Sequence, residues 1–171
     1  MTTRTPTLAA AIACWLAVTA TPGTAAAHEP SPEGREGSAM PTFARGTFDV
    51  KLERVAEEPF PGGNALGRYS LNKQYHGDLE AEAAGEMLTA GTPVEGSAAY
   101  VAIERVEGTL HGRRGSFLLQ HRGTMGHGEQ RLEITVVPDS GTGELVGLAG
   151  SLEVIIAGGE HSYILELTLP E

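Results

Sequence analysis

The sequence predicts an all-β fold, a single domain of about eight antiparallel strands closed as a barrel or packed as a sandwich. Three observations carry that expectation. Apolar residues recur at every second position, the period of a half-buried strand. Short clusters of Gly and Pro separate the alternating runs. Sustained helical periodicity is missing; the one segment with weak helical character, 80–88, has Gly85 near its middle and reads equally well as a strand of small residues.

The elements follow in order along the 171 residues. Residues 1–27 have the make-up of an export signal: Arg4 in a short polar lead, an apolar run from Leu8 to Ala20, and small residues ending Ala25-Ala26-Ala27, with cleavage expected after Ala27. The run is too short to span a bilayer as a helix, so no stable membrane insertion is expected after cleavage. Lipid attachment at Cys14 is disfavoured because Ala11 stands where a lipoprotein signal usually has Leu. Residues 28–42 carry charges, Pro and Gly and almost nothing to bury, and are expected to be a disordered linker. An N-terminal His28 binds copper only beside a second His on a rigid scaffold, which such a leader does not supply.

Residues 43–171 form the predicted domain. Thr47–Leu52 sets Phe48, Val50 and Leu52 against Thr47, Asp49 and Lys51, and Arg68–His76 sets Tyr69, Leu71 and Tyr75 against Ser70, Asn72 and Gln74. Further strands are expected at Leu79–Leu88, Ala98–Leu110, Ser116–Gly123, Gln130–Val137, Leu145–Ile156 (broken at Gly150) and Ser162–Leu169. Their separators include Pro59 to Gly63, Gly91-Thr92-Pro93, Gly126-His127-Gly128, Gly141-Thr142-Gly143 and Gly158-Gly159.

Composition excludes several classes of function. Cys14 and Trp15 are the chain's one Cys and one Trp, and both lie in the leader, so the mature domain has no disulfide scaffold, thiolate metal site or Cys nucleophile. Of 12 Lys and Arg, Arg4 leaves with the leader, and 11 remaining against 22 Asp and Glu give a net charge of −11. Nucleic acid and anionic lipid are poor partners for that surface. Gly141 to Gly147 resembles a phosphate loop only in its glycines and is expected to be a turn. His76, His121, His127 and His161 show no close metal-ligand spacing, so neither metal nor cofactor is expected.

The chemistry-bearing stretch is Tyr100–Gly123, two strands joined at His111-Gly112-Arg113-Arg114. The faces holding Arg105, Glu107 and Arg122 belong in water, which turns Glu104 and His121 inward. A four-residue loop pairs Leu110 with Gly115 and sets Glu104 directly opposite His121, within reach of a carboxylate–imidazole hydrogen bond. Such a pair serves proton transfer or polar anchoring; it serves equally as a satisfied buried pair that fixes register. Lys73 shares the inward face of Tyr69, Leu71 and Tyr75, and a bulge or a place at a barrel mouth, where its ammonium reaches solvent, is the simpler account. Tyr75 and Tyr100 read as packing residues with a polar tip. Ala81, Ala83, Gly85 and Ala102 also fall inward, and small inward side chains favour a cavity.

Gly46-Thr47-Phe48, Lys73 to Leu79, Glu104-Arg105-Val106, Gly112 to Phe117, Gln120 to Gly123 and Gly141 to Leu145 together resemble the bacterial domain of unknown function 3224, over roughly residues 43–169. That family is similar in fold to allene oxide cyclase, an eight-stranded antiparallel barrel with a ligand cavity. The resemblance therefore implies a single barrel, and it raises cyclisation of a small reactive substrate as an activity. It supplies no motif from which a catalytic residue is carried over.

The expected function is a secreted barrel that takes a small hydrophobic or amphipathic molecule, lined by Lys73, Tyr75, Tyr100, Glu104, Phe117, Leu119 and His121. The alternatives are a cyclase or isomerase with Glu104 and His121 as candidate catalytic residues, and a structural protein with a filled barrel. A homo-oligomer is compatible with the sequence.

Overall fold

The computed structural model describes residues 42–170, so the predicted signal and nearly all of the linker lie outside the described residues. Eight strands run as β1 (Thr42–Phe60), β2 (Asn64–Gly77), β3 (Leu79–Gly91), β4 (Ala98–Leu110), β5 (Arg113–Gly126), β6 (Glu129–Val136), β7 (Ala149–Ala157) and β8 (Glu160–Thr168). Each pairs antiparallel with its sequence neighbour, and Thr42–Thr47 of β1 pairs with Ser162–Leu167 of β8 to close a barrel. Barrel and not sandwich is the outcome, and closure removes most of the free strand edges that a sandwich would have to protect.

Alternation decides which side chains fill the interior. Tyr69, Leu71 and Tyr75 of β2, Ala81, Ala83 and Met87 of β3, Ala102 and Val106 of β4, and Phe117 and Leu119 of β5 are all buried. The side chains between them, such as Glu80, Glu82, Arg105 and Arg122, are exposed. β1 runs well past the expected Leu52. Glu53 to Phe60 lose the alternation but continue the ladder with β2, through a register shift between Arg54 and Ala56. Backbone pairing holds this part, and its charges and Pro59 protect an edge that β8 does not cover.

The loop between β4 and β5 is shorter than expected. His111 (φ 49°) and Gly112 (φ 81°) form a two-residue turn with both residues left-handed, the form whose twist matches the flanking strands. Arg113 and Arg114 therefore join the ladder, opposite Leu110 and Thr109. The pairing of Glu104 with His121 is corrected in consequence: Glu104 lies opposite Leu119, and His121 opposite Ala102.

A second correction concerns the strand expected from Leu145. Residues 143–145 form a turn of 3-10 helix, and Leu145 and Leu148 are buried with Leu79, Leu110, Leu165 and Leu167, closing one end of the barrel. The segment before them replaces a strand where β6 has left β5. Oxygens of Ser140, Thr142 and Glu144 accept hydrogen bonds from the backbone N–H groups of Leu118 (3.1 Å), Ser116 (3.0 Å) and Arg114 (2.8 Å). Alternate side chains thus satisfy alternate donors along the exposed edge, as the rule of paired backbone groups requires.

Candidate functional site

At the opposite end the barrel is less completely filled. A partly enclosed cavity of about 100 Å³ is lined by Leu52, Met87, Thr89, Ala98, Tyr100, Leu132 and Ile156 toward its mouth, and by Phe48, Leu71, Lys73, Ala102, His121 and Ile134 deeper in. Most of these are apolar. One wall is discontinuous: β6 and β7 pair only at Thr135 and Ser151, and Leu132 and Ile134 of β6 and Val154 and Ile156 of β7 line the cavity on the two sides of this seam.

The floor is polar. Glu104 is fully buried and stands at the centre of four ionisable side chains supplied by three strands. Its Oε2 accepts a hydrogen bond from Lys73 Nζ at 2.8 Å, and its Oε1 accepts one from the Tyr75 hydroxyl at 2.9 Å. Lys73 also donates to the Tyr75 hydroxyl at 3.0 Å. Its Nζ lies 4.9 Å from the centre of the Phe48 ring, where the face of the ring attracts a cation. His121 Nε2 comes within 3.0 Å of Glu104 Oε2, a contact that favours the carboxylate although it falls short of hydrogen-bond alignment.

Lys73 thus corrects the sequence expectation. It sits in no bulge and does not reach out into solvent; its side chain is 5% exposed and is held inward by the carboxylate. β2 places Lys73 and Tyr75 two residues apart on one face, and β4 brings Glu104 to them across β3. Gly85 opposite Glu104 permits this approach: a Cβ there would lie 2.2 Å from the Ile103 carbonyl oxygen and 2.8 Å from the Glu104 Cα.

Burial alone would raise the Glu104 carboxyl, but the Lys73 ammonium and then His121 outweigh it and hold the group at about 2. Burial lowers the His121 imidazole, and the attraction of Glu104 only partly opposes this, so the ring is neutral at pH 7. Burial, and secondarily Glu104, push the Tyr75 and Tyr100 hydroxyls up, which keeps both protonated.

Of the residues picked from sequence, Lys73, Tyr100 and His121 line the cavity. Tyr75, Glu104, Phe117 and Leu119 lie in the packed interior and do not line it. Sequence reasoning picked none of the other lining residues, among them Thr89 and Met87 on β3 and the four seam residues. Extending the alternation of β3 past Leu88 would have found Thr89. Among the described residues, no group of three or more His, Cys, Asp or Glu is placed to hold a metal.

Residues 44–167 match the family model described as "Protein of unknown function (DUF3224)". The chain belongs to this family. It is similar to the crystal structure, at 1.84 Å resolution, of a DUF3224-family protein of unknown function from Shewanella oneidensis MR-1. The identity is 49%, the TM-score 0.73, and the match covers 77% of this chain and 99% of that one. Among curated proteins none matches. The family expected from the sequence motifs is therefore the family found, and the closed eight-stranded barrel agrees with the fold that the resemblance implied.

Proposed function

We propose that this protein is an exported barrel that binds a small hydrophobic or amphipathic molecule in its cavity. Lys73, Tyr100 and His121 would touch the bound molecule, while Tyr75 and Glu104 hold Lys73 and His121 in place from behind. One observation carries the reading: a largely apolar cavity meets a small set of convergent polar groups at its floor, the usual form of a small-molecule site. A completely filled structural barrel would not have the space. Export rests on the composition of residues 1–27.

Binding is favoured over catalysis by the state of Glu104. A general base must reach its proton and carry a pKa near the working pH. Glu104 is absent from the cavity lining, is held at about 2, and has both oxygens occupied. A cyclase built on this cavity would have to work by shaping its substrate, with Glu104 only orienting its neighbours.

Native mass spectrometry of gently purified protein, with a thermal-shift screen of small apolar compounds, tests the proposal. A retained molecule, or stabilisation that Ala102→Phe abolishes by filling the cavity, supports it. No retained molecule and no compound that stabilises the wild type at millimolar concentration would remove it.

A further inference from the structure

The charges at the floor of the cavity cancel. Lys73 and Glu104 are 2.8 Å apart, and Tyr75 takes the second carboxylate oxygen. His121 is neutral at pH 7. A carboxylate placed in the cavity would meet an ammonium already paired, with the Glu104 charge directly behind it. An ammonium would find Glu104 out of reach behind Lys73 and His121. Either ion would give up its hydration without gaining a free counter-charge, which is the unfavourable case for a buried ion.

Two neutral polar groups in the lining are unsatisfied. His121 Nε2 touches Glu104 Oε2 at 3.0 Å without hydrogen-bond alignment, Thr89 Oγ1 has no hydrogen-bond partner among the described residues, and both residues are buried, at 4% and 5% exposure. His121 lies deep and Thr89 toward the mouth, since their strand partners are Ala102 and Tyr100. Buried donors and acceptors without partners are costly, and a ligand group that reaches one of them removes that cost.

Size sets the third condition. A dry apolar cavity of about 150 Å³ holds benzene; this one encloses about 100 Å³ and is only partly closed, so a compact ring or a short branched chain fits with part of it at the mouth, and nothing larger fits inside. A longer apolar tail has an exit at the seam between β6 and β7, where Leu132 lines the cavity and is 41% exposed.

We propose that the cavity selects electrically neutral molecules with a compact apolar body and one hydrogen-bonding group, such as an alcohol or phenol, that reaches His121, and that it discriminates against carboxylates and amines. The proposal rests on the cavity being a binding site, and it narrows that reading to a ligand class.

Four probes of nearly equal shape separate the two claims: benzyl alcohol, toluene, benzoate and benzylamine, titrated at neutral pH into the full-length protein. Binding is read from the methyl resonances of Met87 and Ile134, both in the lining. Benzyl alcohol should shift them saturably, with benzoate and benzylamine weaker by about tenfold or more and toluene weaker by about threefold to tenfold. His121→Phe should abolish the advantage of the alcohol over toluene, and Thr89→Val, a milder change, should leave the rejection of both ions intact. Benzoate or benzylamine binding as tightly as the alcohol overturns neutral selection while leaving the binding site standing. An unchanged alcohol preference in folded His121→Phe overturns the role of His121. Methyl groups that respond to none of the four probes overturn the binding site itself.

Discussion

Glu104→Gln isolates the charge at the centre of the site, because it keeps the shape of the side chain and one accepting oxygen. In the wild type the Lys73 side chain is 5% exposed and its ammonium lies 2.8 Å from Oε2. The variant leaves that ammonium buried beside a neutral amide, and breaking a buried pair from one side costs about 3 to 5 kcal/mol. Against a typical domain stability of about 5 to 15 kcal/mol, the loss is large. Lys73→Met strands the carboxylate and should cost a similar amount, less as the pH falls, because it also removes a charge that depresses His121 and so lets the imidazole protonate as a substitute counterion. The double variant carries neither charge and should come within about 2 kcal/mol of the wild type, or exceed it. Urea unfolding followed by far-ultraviolet circular dichroism gives all four corners of the cycle. A Glu104→Gln cost below about 1 kcal/mol, or single costs that simply add in the double variant, would refute a coupled buried pair.

Acid should destabilise the barrel in two windows. The folded pKa of His121 lies below its ordinary 6.5, so the unfolded chain takes up that proton first and stability falls as pH drops below 6.5. Glu104, at about 2 against an ordinary 4.5, contributes stability that is complete above pH 4.5 and is lost toward pH 2, on the order of 3 kcal/mol. The wild type should therefore lose stability relative to the Lys73→Met/Glu104→Gln double variant between pH 4.5 and 2; a constant difference would count against the assigned Glu104 shift. Gly85→Ala should destabilise by about 1 to 3 kcal/mol, since its Cβ meets backbone of β4 at 2.2 Å and one of the two strands must move. Full stability in that variant would mean that β3 and β4 do not approach so closely. Material recovered outside the cytoplasm should begin at His28 and emit from Tyr69, Tyr75, Tyr100 and Tyr163 alone; Trp emission or a titratable thiol there would mean that the leader is retained.

The fold was readable where one physical rule acts alone. Alternation in β2 and β5 reports a surface with one dry face, and the buried series Tyr69, Leu71, Tyr75 and Phe117, Leu119, His121 match it. Readability failed where a second rule took over. The far part of β1 has no dry face to declare it, because Glu53 to Phe60 are held by ladder bonds to β2 and not by burial. Leu145 looked like the start of a strand because Leu145 to Ile156 is rich in apolar residues. Leu145 and Leu148, three apart, are both buried at the barrel end, because a turn after the 3-10 helix, closed by the Leu148 N–H donating to the Leu145 carbonyl (3.1 Å) with Gly147 at φ 82°, brings them to one side; a strand would send them to opposite faces.

The site was half readable for a related reason. An error of two residues in a hairpin loop moves a cross-strand pairing by two and leaves every side chain on its face. The sequence suggests a four-residue loop at His111 and the chain turns in two, so alternation places Glu104 and His121 inward while their pairing shifts by two. The error spared the contact, because a long carboxylate reaches a diagonal neighbour, and Oε2 still lies 3.0 Å from His121 Nε2. Lys73 was harder to place. Its inward position by alternation conflicted with the cost of burying an ammonium, and cost favoured a bulge or a mouth position as long as its partner was unknown. That partner is 31 residues away across an intervening strand, and Ala83 and Gly85 of that strand leave the space in which the two side chains meet. An inward cation in an alternating strand is thus a reason to look for an inward anion two strands over, with small residues between them.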